Sequence, residues 1–411
     1  MQSRHFIQQA GAVASWTWAS GHAAGVDGSV RRKLIVIMLR GAVDGLSVVV
    51  PCAEPAYAQS RSTIALAMPG VEEGVLKLDS RFGLHPALAR LKPWWDQGAM
   101  AFVHASGSPD NTRSHFDAQD YLESGTPGHK NTQDGWMNRL LSVLPGPASP
   151  TRAVSMGTTP PRIFAGAAPV ATLGLGPRSL EAKAIDDPRM QAALEKLYAK
   201  DSQLARTYKA TSEGRNEMSR SMAGDEAQRM DPSADNGAAS AIGFAADARR
   251  LGLLLRKDPH AQLAFTSVGG WDTHANQGGA KGTLANRLAV LGAGLDALAQ
   301  GLGDSLRDTV IVVLSEFGRT LRQNGTGGTD HGRGNVIWLI GGPVAGGQVL
   351  GEWPGLDAAA LVDGRDLAVT TDFRAVLRPL LRQHLGLGEA ALEQVFPGFS
   401  GTLAGQLLRS A

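Results

Sequence analysis

Leu34-Ile-Val-Ile-Met-Leu-Arg-Gly-Ala-Val-Asp-Gly45 opens with six uninterrupted apolar residues and ends in a loop where Asp44 sits between glycine-rich turns. A run with no polar alternation suits a strand buried on both faces, as in a parallel sheet. Three more apolar runs share this length scale: Met100–Val103, Gln262–Val268 and Val310–Leu314. Each is followed by residues with oxygen or imidazole donors: Ser114 with His115, Asp272 with His274, and Glu316. A fifth pair, Asp330-His331, lies in a glycine-rich loop just before the run Val336–Ile340. In parallel α/β sheets the ligand crevice forms outside the carboxyl ends of the strands. Donors scattered over the sequence are therefore expected to converge there.

Helical segments alternate with these runs. Pro86 to Gln97 carries Leu88, Leu91 and Trp95 at helical spacing, and Leu284 to Gly301 carries Leu288, Leu291, Leu295 and Leu298. Helices are also expected over Phe116–Ser124, Asp134–Leu144, through Leu251–Leu255, and over Phe373–Leu385. Arg162–Phe164 and Val170–Leu173 read as small edge strands. The rhythm predicts an α/β fold: a doubly wound, mostly parallel sheet with helices on both faces. Residues 30–411 form one such domain in this reading, with 188–236 as a helical insertion or cap.

Composition narrows the function. The net charge is +2, and the few aromatics are not interleaved with basic residues, which argues against a nucleic-acid partner. Cys52 is the single cysteine, so an internal disulfide and a cysteine metal site are both excluded. After the leader no segment approaches the roughly 20 apolar residues of a membrane helix. Residues 1–25 read as an export signal: a basic start at Ser3-Arg4-His5-Phe6-Ile7, an apolar stretch from Ala10 to Ala24, and small residues around Ala23-Ala24-Gly25. The start resembles a twin-arginine leader with His5 in place of the second arginine, and a general secretory signal is the alternative. The mature protein is expected to be periplasmic or secreted.

Each motif has a plain structural reading beside the chemical one. Asp44 between glycines suits a hard cation or merely supports a turn. Ser114, three residues before Asp117, has the pattern of a helix cap, and the same position places a hydroxyl at the positive end of a helix dipole. Asp272-Thr-His274 offers one oxygen and one nitrogen ligand, or a hydrogen-bonded loop pair. Glu316, one serine beyond five apolar residues of a buried strand, needs a partner, and a metal or an arginine would serve.

Taken in order, Arg40-Gly-x-x-Asp-Gly, Arg113-Ser-His-Phe-Asp, Trp271-Asp-Thr-His, Ser315-Glu-Phe-Gly-Arg and Asp330-His-Gly resemble the DUF1501 family of exported bacterial proteins, related to the alkaline phosphatase and sulfatase superfamily. The resemblance covers residues 30–385. It implies the superfamily's doubly wound fold and a centre of one or two divalent ions, zinc first, with magnesium, manganese or calcium as alternatives. It assigns Asp44, Asp272, His274, Glu316, Asp330 and His331 to the metal and Ser114 to the covalent nucleophile. Glu316-Phe317 falls where phosphatases carry Asp-His, and a phenylalanine cannot ligate. Arg113, Arg319 and Arg333 are expected to clamp anionic oxygens.

Two functions follow from this reading. The first is an exported metal-dependent hydrolase of a small phosphate or sulfate ester. The second is a non-catalytic periplasmic binding or assembly protein on a degenerate phosphatase-like scaffold. A phosphoglycerate-mutase-like transferase is a weaker third, because export separates it from cytosolic substrates.

Overall fold

A computed structural model describes residues 32–176, 188–198, 205–206, 208–209, 212–214, 217 and 243–410. The expected leader and most of the expected insertion over 188–236 lie outside the described residues, although Pro188–Tyr198 within that insertion is helical. The strands in chain order are β1 (Lys33–Leu39), β2 (Val49–Val50), β3 (Leu76–Lys77), β4 (Gly83–Leu84), β5 (Met100–Gly107), β6 (Ala153–Met156), β7 (Ala171–Leu173), β8 (Leu263–Val268), β9 (Thr309–Ser315), β10 (Asn335–Ile340), β11 (Gln348–Leu350) and β12 (Thr371–Asp372).

Among the described residues nine strands form the main sheet. They run in the order β11-β5-β10-β9-β1-β8-β6-β7, and β12 also pairs with β5. All its pairings are parallel except those of β10, which runs antiparallel to both β5 and β9. The amino end of β10 therefore lies on the same edge as the carboxyl ends of its neighbours. Register fixes that edge: Leu39 stands opposite both Val268 and Ser315, and Asn335 opposite Ser106. A small antiparallel sheet, β2-β4-β3, lies apart from it.

Every residue of β1, β5, β9 and β10 is buried, because both faces of the sheet are covered. Side chains alternate along β1. Ile35, Ile37 and Leu39 enter a core with Leu251 and Leu255 of the helix Phe244–Lys257 and with Leu288, Leu291 and Leu295 of the helix Thr283–Leu302. Leu34, Val36 and Met38 enter a second core with Trp136 and Leu140 of the helix Trp136–Val143 and with Val376 and Leu377 of the helix Phe373–Pro379. The doubly wound α/β architecture is thus present.

Three local expectations change. Pro86 to Gln97 is a 3-10 turn (Pro86–Leu91) kinked at Leu88, followed by a separate helix, Lys92–Asp96. Pro93 has no N–H to carry one helix across the junction, and it suits the start of a new one. Arg162–Phe164 is a 3-10 turn rather than a strand. Its backbone is satisfied by side chains, with Ile163 N–H donating to Glu123 Oε2 at 2.9 Å and Phe164 O accepting from Asn138 at 3.0 Å. The tail helix ends at Pro379 and continues as a π turn over Leu380–His384.

Candidate metal centre

Loops at the carboxyl edge of the sheet carry the polar motifs, and their backbones pack closely. Gly41 adopts φ +112°, and a Cβ there would lie 2.7 Å from the Asp272 nitrogen. A Cβ on Gly328 would come within 2.3 Å of the His274 carbonyl. Only glycine allows these approaches, which bring the β1, β8 and β9–β10 loops together.

Four side chains converge. His115 Nε2 lies 3.0 Å from His331 Nε2, and His274 Nε2 lies 2.9 Å from the same atom. Asp272 Oδ1 is 2.9 Å from His274 Nε2, 3.3 Å from His331 Nε2 and 3.7 Å from His115 Nε2. His115, Asp272 and His331 offer ligand atoms all within 4.8 Å of one another. Tetrahedral ligands about 2.0–2.1 Å from an ion are separated by roughly 3.3 Å, a value these distances bracket.

The other nitrogen of each ring is tied. His115 Nδ1 faces Glu316 Oε1 at 2.8 Å, His331 Nδ1 faces the Arg113 carbonyl at 2.9 Å, and His274 Nδ1 faces Asp330 Oδ1 at 3.2 Å. Carboxylates and carbonyls only accept, so each Nδ1 must donate, and in a neutral ring Nε2 then carries a lone pair. The lone pairs of His115 and His331 and the Asp272 oxygen therefore face one another, and the His274 lone pair meets those of His331 and Asp272. A cation between them relieves that repulsion, and the donor set fits a divalent ion.

Electrostatics divide the rings. The hydrogen bond to Glu316, outweighing burial, holds the His115 pKa above its ordinary value. Burial lowers that of His331. Burial pulls Asp272 upward, but the Arg319 hydrogen bond and charge, together with the neighbouring imidazoles, leave it below the usual carboxylate range.

Asp44 lies outside this cluster, which corrects its expected role as a ligand. It is fully buried, and its carboxylate accepts from Arg61 twice (2.5 and 3.0 Å), from Ser47 Oγ (2.8 Å) and from Gln277 (2.7 Å). Buried against the Arg61 guanidinium, the carboxylate is committed to partners inside the fold and not to the cluster. Glu316 is likewise committed. His115 Nδ1, Gln119 Nε2 (2.9 Å) and Gly41 N–H (2.8 Å) share Oε1, and Ser315 Oγ donates to Oε2 (2.9 Å). It orients the His115 ring. Asp330 plays the same part toward His274 while accepting from Asn324 at 3.0 Å.

Arg319 is not a substrate clamp. Its side chain is fully buried, donates to the carbonyls of Ala42, Thr329, Gly41 and Trp271, and holds Asp272 Oδ1. Ser114 caps the helix His115–Ser124, where its Oγ accepts from Asp117 N–H at 3.5 Å and stays exposed. The helix start carries His115 into the cluster, a donor that the expected ligand set did not include. Its signal was its place beside Ser114 after a strand. Phe317, 4% exposed, lies 4.9 Å from the His115 ring and 5.0 Å from the His331 ring, and walls off one side of the cluster. Arg113 and Arg333 lie around Asp366, with Arg113 Nη2 2.7 Å and Arg333 Nε 3.9 Å from its carboxylate.

The architecture and this cluster define an α/β protein with a donor group of His115, His331 and Asp272, flanked by His274, at the carboxyl edge of a mostly parallel sheet. The chain belongs to the DUF1501 family, described as a protein of unknown function, whose family model matches residues 31–396. Solved structures with a similar fold include the PsFucS1 sulfatase from Pseudoalteromonas sp., at 14% identity and a TM-score of 0.38 over 88% of this chain and 68% of that one. Another is the alkaline phosphatase of the Antarctic bacterium TAB5, at 12% identity and a TM-score of 0.35 over 76% and 92%. A third is the zinc complex of the periplasmic domain of EcEptC from Escherichia coli, at 10% identity and a TM-score of 0.35 over 76% and 73%. No curated protein matches this chain. No helix among the described residues is long and apolar enough to cross a membrane.

Proposed function

We propose that this chain is an exported hydrolase of phosphate or sulfate esters that depends on one divalent ion. The observation that carries the reading is the meeting of His115 Nε2, His331 Nε2 and Asp272 Oδ1, with His274 Nε2 against the last two and every Nδ1 fixed by an acceptor. His115, His274, His331 and Asp272 would hold the ion. Three imidazoles and one carboxylate suit zinc better than magnesium or calcium, which prefer all-oxygen shells. A bound ion supplies Lewis acidity, lowering the pKa of a nearby hydroxyl or water and offsetting charge on the ester oxygens.

Ser114 is the nucleophile in this reading. It follows the Arg113 carbonyl that holds His331 and precedes His115, and it stands at the positive end of a ten-residue helix. Its Oγ gives its proton to solvent and bonds to phosphorus or sulfur as the ester's alcohol oxygen departs and takes up a proton. Water then hydrolyses the phosphoserine or sulfoserine ester, releasing phosphate or sulfate and restoring the hydroxyl. Residues 1–25 as a leader support a periplasmic or secreted setting.

The test is Ser114→Ala. Turnover of aryl phosphates and sulfates should vanish while metal content stays at one ion per chain. Unchanged turnover rejects the nucleophile, and purified protein with no stoichiometric metal rejects the centre. Phe317 and the capping role of Ser114 favour a second reading, a metal-bearing binding protein, and a full metal complement with no turnover would establish it.

A further inference from the structure

Beside the donor cluster stands a second concentration of positive charge. Asp366, fully buried, accepts from Arg113 Nη2 at 2.7 Å and from Arg365 Nε at 2.9 Å, and Arg333 Nε stands 3.9 Å away. Asp363 is the other acid there. It is 70% exposed and only 3.8 and 3.9 Å from Arg113 and Arg333. Three guanidiniums thus face one committed carboxylate and one loosely placed, solvated one. The Nε groups of Arg113 and Arg333 are buried with no hydrogen-bond partner among the described residues. The arginine side chains are themselves 22–41% exposed, so an anion can reach them from solvent.

The arginines are tied to the donor cluster through the backbone. His331 turns Nε2 to the cluster, while its carbonyl accepts from Arg365 Nη2 at 3.0 Å and its Nδ1 meets the Arg113 carbonyl. The guanidiniums of Arg113 and Arg365 donate to Asp366, that of Arg333 donates to Asn111 Oδ1 at 2.6 Å, and none donates to Asp272. The arginine group and the cation-binding donor cluster therefore adjoin through one residue.

We propose that Arg113, Arg333 and Arg365 form an anion subsite for a phosphate, sulfate or carboxylate group of the ligand other than the ester at the donor cluster. The assignment rests on the hydrolase reading for its substrate class, a polyanionic ester. Guanidiniums match such groups bidentately, and the exposed parts of these three are what the group would meet. Asp363, at φ +55°, competes for the same arginines.

The test uses the full chain, first stripped of metal with a chelator and titrated calorimetrically with inorganic phosphate and sulfate. Binding is expected to weaken about tenfold in Arg333→Gln and in Arg365→Gln, the loss of one charge-assisted contact. It should strengthen several-fold in Asp363→Asn, where asparagine tolerates the positive φ and the chain folds as before. In the metal-loaded protein, Arg333→Gln should raise KM for carboxyphenyl phosphate at least fivefold more than for phenyl phosphate. Anion binding that ignores all three substitutions overturns the subsite, as does an equal KM effect on both esters. Wild-type-like anion binding with the expected variant pattern but no turnover of either ester keeps the subsite and rejects the hydrolase.

Discussion

Glu316 Oε1 faces His115 Nδ1 at 2.8 Å, joining the end of β9 to a helix start 201 residues earlier in the chain. Carboxylates behind ligating imidazoles fix ring orientation, and removing them typically costs 10–100-fold in metal affinity. Glu316→Ala should therefore weaken zinc binding by about that factor, measured by chelator competition. Glu316→Gln keeps an acceptor and should lose less. Equal affinity in wild type and the alanine variant would show that His115 is not held through this contact.

Asp44→Ala separates fold from site. The substitution leaves the Arg61 guanidinium fully buried without its partner, and breaking such a pair costs about 3–5 kcal/mol. Urea unfolding should register this loss, while metal per folded chain stays at the wild-type value. Loss of metal from protein that is still folded would return Asp44 to the ligand set.

This contrast shows what the sequence could and could not disclose. Runs such as Leu34–Leu39 and Val310–Leu314 announce buried strands because both faces of the sheet are covered by apolar cores. β11 and β12, three and two residues long, carry no such signal. Strand-end position put Asp44, Asp272, Glu316 and His331 on the correct edge. It could not say which carboxylates would be consumed by partners elsewhere in the chain, Arg61 for one and His115 with Gln119 for the other. Arg365 and Asp366 carried no motif at all; only folding sets them beside Arg113.

Stability should fall on mild acidification. Burial drives the pKa of His85, His104 and His384 down to about 4, outweighing their contacts with the carbonyls of Gly279, Val49 and Lys33. Each is depressed below its unfolded value of 6.5, so the unfolded chain takes up protons first as pH drops. Their contribution is complete above about pH 6.5 and is lost as pH falls toward 4, up to roughly 3 kcal/mol per histidine. Asp44 and Glu316, with lowered pKa values, lose theirs only further down, as pH falls below the ordinary carboxylate range. Urea midpoints across pH 7 to 4 test the window. His384→Gln, which can still donate to Lys33 O, should flatten the slope, and an unchanged slope would remove His384 from the account.

Phe317→His asks whether a second ion is one residue away. The substitution places an imidazole about 5 Å from the His115 and His331 rings. The carboxylate beside it, Glu316, already accepts four hydrogen bonds, three of them on one oxygen. An ion there would have to displace His115 from Glu316 and so loosen the first site. The expected stoichiometry thus stays at one zinc per chain, with stability lowered because a polar ring replaces a buried apolar one. Two ions bound per chain, read by elemental analysis, would mean that Glu316 exchanges its partners more readily than four hydrogen bonds imply.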